Sequence, residues 1–420
     1  MHSPNLRLIC ALFASLAVSQ AQTLPTYTST NYIGSGTAGY AGDAASANAT
    51  DTQLNFPMGI VRASNGTLYI ADTFNQRIRS VGTDGVIKTV VGTGTAGYGG
   101  DTGAATAALI ASPYGVTLDT AGNLYFTDTR NMMVRKVSTS GTVTKLAGSG
   151  VQGFGGDDGN AVDALLNLPT GIVVDGSGNV YVADTLNHRV RKITTDGKIS
   201  TFAGTGEPNF TGDGGPASAA TLYHPEALAL DSIGNLYIGD TYNQRVRKVS
   251  TSGVITTVAG SGVQGFRGDG GQAAAAQLNY PLGLYVDASG VLYVVDSYNG
   301  RIRVVTENGV IRTVAGTGKF GDAADGAAAL SADLRFPRAL IPDGSGGFLL
   351  LDTDNSRIRR LTPNPQSPAV GKDGVVSSSA FGGFRTAARG SWLEIYGSNL
   401  AQGTRAWAGS DFVGGKAPTS

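Results

Sequence analysis

The chain has 420 residues, of which 62 are glycine and 15 are proline. So large a share of turn-forming residues excludes a mainly helical protein, while a hydrophobic content of 41% supplies enough apolar side chains for a packed core. The 31 Lys and Arg residues balance the 31 Asp and Glu residues, so no broad basic field is available for nucleic acid or an anionic membrane surface. The single cysteine, Cys10, excludes an intramolecular disulfide and a cysteine-rich metal site.

Residues 1–21 have the pattern of a secretory signal peptide. Arg7 precedes an apolar run, Leu8 to Val18, that is too short to span a bilayer. Ser19 and Ala21 are small residues at the two positions that a signal peptidase reads. We therefore predict cleavage after Ala21 and a secreted or periplasmic protein without a membrane span. Export without a disulfide is compatible with a bacterial secreted or periplasmic protein.

The next part of the chain repeats every 56 residues. A proline opens an apolar run at Pro57, Pro113, Pro169, Pro225, Pro281 and Pro337. An Asp-Thr or Asp-Ser pair follows in phase at Asp72, Asp128, Asp184, Asp240, Asp296 and Asp352. Each copy contains four short runs bounded by turn residues, the pattern of a four-stranded meander. Because the first two runs are apolar at nearly every position, both sheet faces must be covered, and an all-β six-bladed propeller satisfies this requirement.

The sixth copy has no fourth strand. Its third strand ends near Leu361, but a fourth-strand sequence occurs at 30–36, where Thr-Asn-Tyr-Ile-Gly-Ser-Gly matches Thr-Val-Ala-Gly-Ser-Gly at 257–262. We predict that this N-terminal strand completes the last blade and so removes two exposed sheet edges. The predicted propeller therefore occupies residues 22–361.

The motif within each copy resembles the NHL repeat. The resemblance is carried by Pro-Thr-Gly-Ile-Val-Val-Asp at 169–175, by Asn179 to Ala183, by Asp-Thr-Leu-Asn-His-Arg at 184–189 and by the closing Thr-x-Ala-Gly. It covers residues 28–361 and implies a six-bladed propeller of the kind found in secreted bacterial proteins. It leaves function open, because propellers of this kind serve as protein-binding scaffolds, RNA binders, sensor domains and, in amidating lyases, enzymes.

A long loop joins the fourth strand of each blade to the first strand of the next. It contains Gly-x-Gly, an aromatic residue, Gly-Asp-Gly-Gly and an alanine-rich stretch, and we expect Asp213 to cap a short helix that runs through Ala220. These loops and the Asp-Thr-x-Asn turns join strands at the same end of the sheets. Both are therefore expected on one face of the ring, which we call the long-loop face.

Three motifs bear on cofactors. The G-x-G-x-x-G run at 92–97 recurs in the loops of an all-β repeat and opens no long helix, which argues against a dinucleotide site. Asp157, Asp158 and Asp163 form a carboxylate cluster, for which calcium binding is an alternative to a solvated capping loop. After signal removal only His188 and His224 remain, so the three-histidine metal site of an amidating lyase cannot be built. No other metal or cofactor is predicted.

Positions at which the copies differ are the best candidates for a site, because residues shared by all blades are most simply structural. In each copy, two such positions flank the blade proline at the predicted mouth of the central channel, and a third is the variable place of the Asp-Thr-x-Asn turn. Their aromatic and scattered polar side chains are typical of a recognition patch. The predicted binding residues are Tyr114, Arg130, His224, Glu226, Tyr242, Tyr280, Tyr298 and Arg338.

The period stops at Thr362. A proline-rich linker, 362–380, precedes a segment, 381–420, in which Ser391 to Gly397 alternates as a strand would. This segment resembles the opening of an immunoglobulin-like module of secreted bacterial proteins and is too short for a complete sandwich. We expect a partial C-terminal β module.

These observations favour a secreted, monomeric, non-catalytic binding or scaffold propeller that recognises a protein or a cell-envelope glycan through its long-loop face. The sequence has no G-x-S-x-G elbow, and the predicted mature chain has no cysteine nucleophile. The alternative is a propeller hydrolase or lyase that acts at the channel mouth with His224, Glu226 and Arg338 as its polar groups.

Overall fold

The computed structural model describes residues 24–43 and 52–364, together with the backbone of 375–377 and 393–395. The repeat region consists of six antiparallel sheets arranged as the blades of a propeller, within the compact unit Thr26–Pro365. The all-β six-bladed fold predicted from the 56-residue period is thus confirmed.

The chain begins the propeller with strand β1 (Tyr27–Ile33). Blade 1 contains β2 (Pro57–Arg62), β3 (Leu68–Asp72), β4 (Arg77–Val81) and β5 (Ile87–Val91). Blade 2 contains β6 (Pro113–Leu118), β7 (Leu124–Asp128), β8 (Met133–Val137) and β9 (Val143–Ala147). Blade 3 contains β10 (Pro169–Val174), β11 (Val180–Asp184), β12 (Arg189–Ile193) and β13 (Ile199–Ala203).

The second half of the ring repeats this arrangement. Blade 4 contains β14 (Pro225–Leu230), β15 (Leu236–Asp240), β16 (Arg245–Val249) and β17 (Ile255–Ala259). Blade 5 contains β18 (Pro281–Val286), β19 (Leu292–Asp296), β20 (Arg301–Val305) and β21 (Ile311–Ala315). Blade 6 contains the short β22 (Ala327–Ala328), then β23 (Pro337–Pro342), β24 (Phe348–Asp352) and β25 (Arg357–Pro363).

Single-turn 3-10 helices follow the second strand of each blade and also occur in five long loops. The first set is Thr73–Asn75, Thr129–Asn131, Thr185–Asn187, Thr241–Asn243, Ser297–Asn299 and Thr353–Asn355. The loop set is Ala105–Ala107, Ala161–Asp163, Ala217–Ala219, Ala273–Ala275 and Ala329–Ser331.

The N-terminal strand closes the ring, as predicted. β1 pairs antiparallel with β25, so that Tyr27 lies opposite Pro363 and Ser29 opposite Leu361. β22 pairs with the other edge of β1, which gives the sheet order β22, β1, β25, β24, β23. Closure therefore joins the two ends of the propeller within one blade.

The first strand of every blade is the innermost one. Each contacts the first strands of the two neighbouring blades around the central axis, and this crowding requires small residues. A Cβ atom on Gly171 would lie 2.3 Å from the carbonyl oxygen of Glu226 in the next blade. Glycine at this third position of the inner strand therefore lets the strands converge at the axis.

The spaces between blades are filled by apolar side chains from both sheets. Between blades 3 and 4, Tyr181, Leu228 and Ile238 are buried together, and Ala217 and Ala220 of the long loop join the same cluster. The alanine-rich stretch of each loop thus packs into the core, because small side chains fit where the loop crosses the gap between sheets. Burial on both faces explains why the first two strands are apolar at nearly every position.

A fully buried arginine connects each long loop to its blade. Arg247 Nη1 lies 3.3 Å from Asp240 Oδ2, and Arg247 Nη2 lies 2.7 Å from Asp213 Oδ1 of the preceding loop. The same arrangement recurs at the other buried arginines, Arg79, Arg135, Arg191, Arg303 and Arg359, each 0% exposed. The third strand alternates arginine with valine or isoleucine, a pattern typical of a half-exposed strand, but its second arginine is buried because the long loop covers it.

Asp213 does not cap a helix, contrary to the sequence prediction. The 3-10 helix of this loop spans Ala217–Ala219, and no side chain hydrogen-bonds to its N-terminus. The carboxylate of Asp213 instead pairs with the buried Arg247, since an unpaired buried guanidinium would be costly.

The aspartate of each Asp-Thr-x-Asn turn accepts several hydrogen bonds at once. Asp240 accepts the backbone N–H of Tyr223 at 2.7 Å and the side-chain amide of Asn243 at 2.9 Å. The amide of Asn243 also donates to the carbonyl of Asn209 in the long loop, and Thr241 donates to the carbonyl of Pro281 in the next blade. The shared residues therefore hold the turn, the loop and the neighbouring blade together, which is the structural role expected of them.

Several sequence predictions concern residues outside the described part of the chain. They are the signal peptide at 1–21 and most of the linker and C-terminal module, 362–420. In the latter segment the structure describes β26 (Val375–Ser377) and β27 (Leu393–Ile395), which pair antiparallel. Among the described residues, no helix combines the length and the apolar character needed to cross a membrane.

The closure of blade 6 can be tested by deletion. Removing residues 22–36 takes away β1 and leaves the edge of β25 unpaired, so we expect an aggregating protein without a cooperative melting transition. The matched control removes 22–25 and keeps β1, and it should melt as the full chain does. A monomeric, cooperatively melting protein that lacks 22–36 would contradict the role of β1.

The buried ion network predicts a large effect of Arg247→Leu. This change leaves the buried carboxylate of Asp240 without its cation, and we expect the free energy of unfolding to fall by about 3–5 kcal/mol. Arg312→Leu, at an exposed position of β21, is the control and should change it by less than about 0.5 kcal/mol.

Urea unfolding followed by circular dichroism measures both variants. Adding Asp240→Asn to Arg247→Leu removes the orphaned charge and should recover part of the loss. Wild-type stability in the single variant would show that the buried pair does not support the blade.

Candidate functional site

The mouth of the central channel is built by residues that precede the blade prolines. All six have a left-handed backbone with φ between 47° and 56°, and they are Phe56, Ser112, Leu168, His224, Tyr280 and Phe336. This conformation is uncommon for residues other than glycine, so the surroundings must hold it. In four of them the backbone N–H donates to a side chain of the preceding blade, and the acceptors are Gln76, Met132, His188 and Gln244.

Eight rings on the long-loop face form a continuous series, which we call the aromatic crescent. Its members are His188, Tyr223, His224, Tyr242, Tyr280, Tyr298, Phe336 and Phe320. The centroids of contacting rings lie 4.3 to 5.4 Å apart. Tyr242, Tyr298 and Phe320 remain 40%, 42% and 48% exposed. The crescent runs from blade 3 to blade 6 and presents ring edges and faces to solvent.

The contacts within the crescent fix the positions of its rings. His224 stacks on His188 at 5.0 Å and lies 4.3 Å from Tyr242, whose ring contacts Tyr280. Each aromatic pair contributes about 0.5–1.5 kcal/mol beyond its buried area. A surface that is ordered before binding loses less entropy when a partner arrives.

A polar cluster of Tyr114, Glu226 and Arg338 lies inside the channel. The Tyr114 hydroxyl donates to Glu226 Oε2 at 3.0 Å, and Arg338 Nη1 donates to the Tyr114 hydroxyl at 2.7 Å. Arg338 Nη1 also lies 3.5 Å from Glu226 Oε2. The three residues follow the prolines of blades 2, 4 and 6, so alternate blades send them toward the same point on the axis.

Burial raises the pKa of the Glu226 carboxyl above its usual range, and Arg338 and Tyr114 offset only part of this effect. Burial likewise raises the pKa of the Tyr114 phenol. The cluster thus keeps Tyr114 protonated as the donor to Glu226 at neutral pH.

The structure separates several residues that the sequence prediction grouped together. Tyr242, Tyr280 and Tyr298 lie in the crescent with His224, whereas Tyr114, Glu226 and Arg338 meet in the channel. Of the alternative catalytic group, Glu226 and Arg338 come together, and His224 contacts His188 and Tyr242 instead. Among the described contacts, no hydrogen bond joins the side chains of His224 and Glu226.

Arg130 is exposed and lies apart from both groups, at the rim of a cavity of about 690 Å³. The cavity opens at the channel mouth beside blades 1 to 4, and Met58, Met132 and Leu168 contribute to its walls. Met58 and Leu168 flank blade prolines at the predicted channel mouth but were not among the predicted binding residues, and sequence reasoning did not single out Met132. The signal that could have found them is the absence of an aromatic ring before the prolines of blades 2 and 3.

The carboxylate cluster proposed for calcium is engaged within the protein. Asp157 Oδ1 lies 2.6 Å from Arg191 Nη2, and its other oxygen accepts the hydroxyl of Thr201 at 2.7 Å. Asp163 accepts a hydrogen bond from the side-chain amide of Asn160 at 3.3 Å. Asp158 has a left-handed backbone, with φ of 62°. In the part of the chain that the structure describes, no group of three or more His, Cys, Asp or Glu side chains could hold a metal ion. Calcium binding at this loop stays a prediction.

The loop glycines that imitate a dinucleotide motif have a packing role. A Cβ atom on Gly94, which has a φ of +92°, would lie 2.0 Å from Arg77 Nη1. Arg77 Nη2 donates to the carbonyl of Thr93 between the glycines at 2.7 Å. The Gly-x-Gly pattern therefore makes room for an arginine of the same blade, and no phosphate is needed to account for it.

Comparison with known proteins supports the repeat assignment. The model of the teneurin NHL domain matches residues 205–267 and 262–325, and the NHL repeat model matches residues 166–193. The six-bladed β-propeller of this chain thus contains NHL repeats in the matched segments. None of these matches reaches the expected immunoglobulin-like module, which is not supported.

The most similar relatives include Teneurin-4 of Mus musculus, which is 32% identical over 283 residues, 58% of this chain and 10% of the relative. Protein SUPPRESSOR OF QUENCHING 1, chloroplastic, of Arabidopsis thaliana is 27% identical over 283 residues, 61% of this chain and 26% of the relative. The chain thus spans a small part of the curated relatives it matches.

Solved structures share the fold. An auxiliary nutrient binding protein from Bacteroides ovatus has a TM-score of 0.59 at 15% identity, covering 81% of this chain and 78% of that one. A streptogramin B lyase has a TM-score of 0.50 at 14% identity, covering 81% of this chain and 98% of that one. At these identities the similarity establishes architecture alone.

The stacked histidines predict a loss of stability in acid. Burial and the charge of Arg189 lower the pKa of His188, and burial and His188 lower that of His224. Because both histidines bind protons more readily in the unfolded chain than in the folded one, protonation favours unfolding. The contribution of the two neutral histidines to stability is therefore complete above about pH 6.5 and is lost as the pH falls. Protonation also turns His188 Nδ1 from an acceptor of the His224 N–H into a donor.

His188→Gln tests this, because Gln76 and Gln244 accept the equivalent backbone N–H in blades 1 and 4. We expect the variant to match wild type at pH 7.5 and to lose less melting temperature at pH 5.0. All other titrating groups are common to the two proteins, so the difference between their pH profiles is the relevant quantity. Superimposable profiles would contradict the prediction.

Proposed function

We propose that this protein is a non-catalytic binding propeller that recognises a protein or an extracellular glycan with its aromatic crescent. The observation that carries the proposal is the continuous series of eight rings beside the channel mouth, of which Tyr242, Tyr298 and Phe320 are 40–48% exposed. Surface aromatic residues that are already ordered are typical anchors of recognition surfaces.

The charge of the protein supports recognition by stacking and hydrogen bonding. The chain has equal numbers of acidic and basic residues, and the buried arginines of all six blades are paired with aspartates. Little charge is therefore left to steer a polyanion. The tyrosine hydroxyls of the crescent supply the hydrogen-bonding groups that a peptide or a sugar would require.

The fold is compatible with a binding role but does not distinguish it from an enzymatic one. Auxiliary nutrient binding proteins of Bacteroides share the architecture, and so does a streptogramin B lyase. The signal-like segment at 1–21 is the reason for proposing that recognition occurs outside the cytoplasm. The hydrolase or lyase alternative is less well supported, because its three polar groups divide between the crescent and the channel.

The double variant Tyr242→Ala, Tyr298→Ala tests the crescent. Both side chains are partly exposed, so we expect a folded protein whose melting temperature is lowered by the loss of ring contacts, and a loss of partner affinity of at least about tenfold, which corresponds to about 1.4 kcal/mol. Ile233→Ala is the matched control, since Ile233 is 73% exposed in a hairpin turn at the opposite end of the blade.

Immobilised proteins would be exposed to a glycan array and, separately, to envelope proteins identified by mass spectrometry. Ligands retained by wild type and by Ile233→Ala but lost by the double variant support the proposal, and the arm in which they occur distinguishes a glycan from a protein. Equal retention by all three proteins would contradict it.

A further inference from the structure

The cavity at the channel mouth has the size of a small-molecule site. Its volume of about 690 Å³ lies within the range of about 300–1,000 Å³ typical of ligand pockets. Its walls are mainly apolar and include Met58, Phe74, Met132, Leu168 and Leu186. We refer to it as the mouth cavity.

The mouth cavity exists because two copies of the repeat break the pattern of the others. The residue before the blade proline is Phe56, His224, Tyr280 or Phe336 in four blades, but it is Ser112 in blade 2 and Leu168 in blade 3. The backbone is the same, with φ of 48° at both Ser112 and Leu168 and 52° at Tyr280. Smaller side chains on an unchanged backbone leave the space that rings would otherwise fill.

The inner end of the mouth cavity is polar and has unused hydrogen-bonding capacity. Glu226 and Tyr114 line it, and Glu226 Oε2 interacts with both Tyr114 and Arg338. No described residue donates a hydrogen bond to the other carboxylate oxygen, Oε1. A carboxylate oxygen accepts hydrogen bonds, so this end of the cavity offers an acceptor to a donor group of a ligand.

The charge at this end favours a neutral ligand. Arg338 balances Glu226 at 3.5 Å, and the phenol of Tyr114 between them is uncharged. Arg130 is the arginine among the residues that line the cavity, and it is exposed at the rim, where water screens it.

We propose that the mouth cavity binds a neutral, largely apolar small molecule that carries a hydroxyl or N–H donor, with the apolar body against Met58, Leu168 and Leu186 and the donor against Glu226. The site meets the crescent at His224, which lines the cavity, but the exposed rings Tyr242 and Tyr298 do not line it. The ligand class differs, and the proposal does not rest on the proposed function.

The test uses N-phenyl-1-naphthylamine, a neutral apolar probe with one N–H group, whose fluorescence increases on binding. Wild type should bind it saturably with one site per chain. Ser112→Tyr and Leu168→Tyr each introduce the side chain that Tyr280 has at the same place, and each should weaken binding at least tenfold by filling the cavity. Ile233→Tyr adds the same ring at the opposite end of a blade and is the matched control, with unchanged binding expected.

Further variants distinguish the mouth cavity from the crescent as the place where the probe binds. Glu226→Gln keeps the shape of the residue but weakens the acceptor, and it should reduce affinity severalfold. The double variant Tyr242→Ala, Tyr298→Ala should bind the probe as wild type does, so loss of the crescent and loss of the cavity give different results. Melting temperatures identify any variant that does not fold, and the other cavity-filling variant then decides.

Three results would overturn the proposal. One is the absence of saturable binding to wild type, and another is unchanged affinity in the folded cavity-filling variants. The third is tighter binding of the anionic probe 1-anilinonaphthalene-8-sulfonate together with its loss in Arg130→Ala, which would replace the neutral ligand class by an anionic one.

Discussion

A buried guanidinium between two aspartates is the interaction on which the arrangement of this propeller depends. In blade 4, Arg247 of the third strand pairs with Asp240 at the end of the second strand and with Asp213 of the preceding loop. Placing an ion in the interior costs several kcal/mol unless partners are in position. The long loop must therefore close over the blade before the arginine is satisfied, and the same requirement recurs in every blade. The ring of Phe210, also in the loop, packs on the neighbouring Arg245, whose guanidinium carbon lies 3.6 Å from the ring centroid.

The ordered loops and turns form one face of the ring, and the mouth and turn residues that differ between blades lie on this face. The repeat fixes where each mouth and turn residue lies, and the sequence of each copy decides what occupies that place. Rings follow one another from blade 3 to blade 6, as with Tyr242 and Tyr298, and produce the crescent. Smaller residues in blades 2 and 3, Ser112 and Leu168, open the mouth cavity. One scaffold thus carries two surfaces of different chemistry.

The channel contains a polar cluster contributed by alternate blades. Tyr114, Glu226 and Arg338 meet there although 112 and 224 residues separate Tyr114 from its two partners. His224 and Glu226 are adjacent to the same proline but diverge, because His224 has a left-handed backbone and Glu226 belongs to an extended strand. A direct side-chain contact between these two neighbours in sequence is therefore not formed.

The sequence alone determined the number of blades, their strand order and the closing role of β1, because hydrophobic periodicity and turn residues are encoded within a few positions and repeat every 56 residues. It also located the candidate residues of the mouth and the turns. The tertiary structure decided which of them meet, as in the channel cluster, and which are covered, as with Arg247 beneath Asp213. These outcomes depend on loops that return over a blade and on blades that oppose each other across the axis. Local sequence has no information on either, since the contacts join residues that are distant along the chain and become neighbours only when the ring closes.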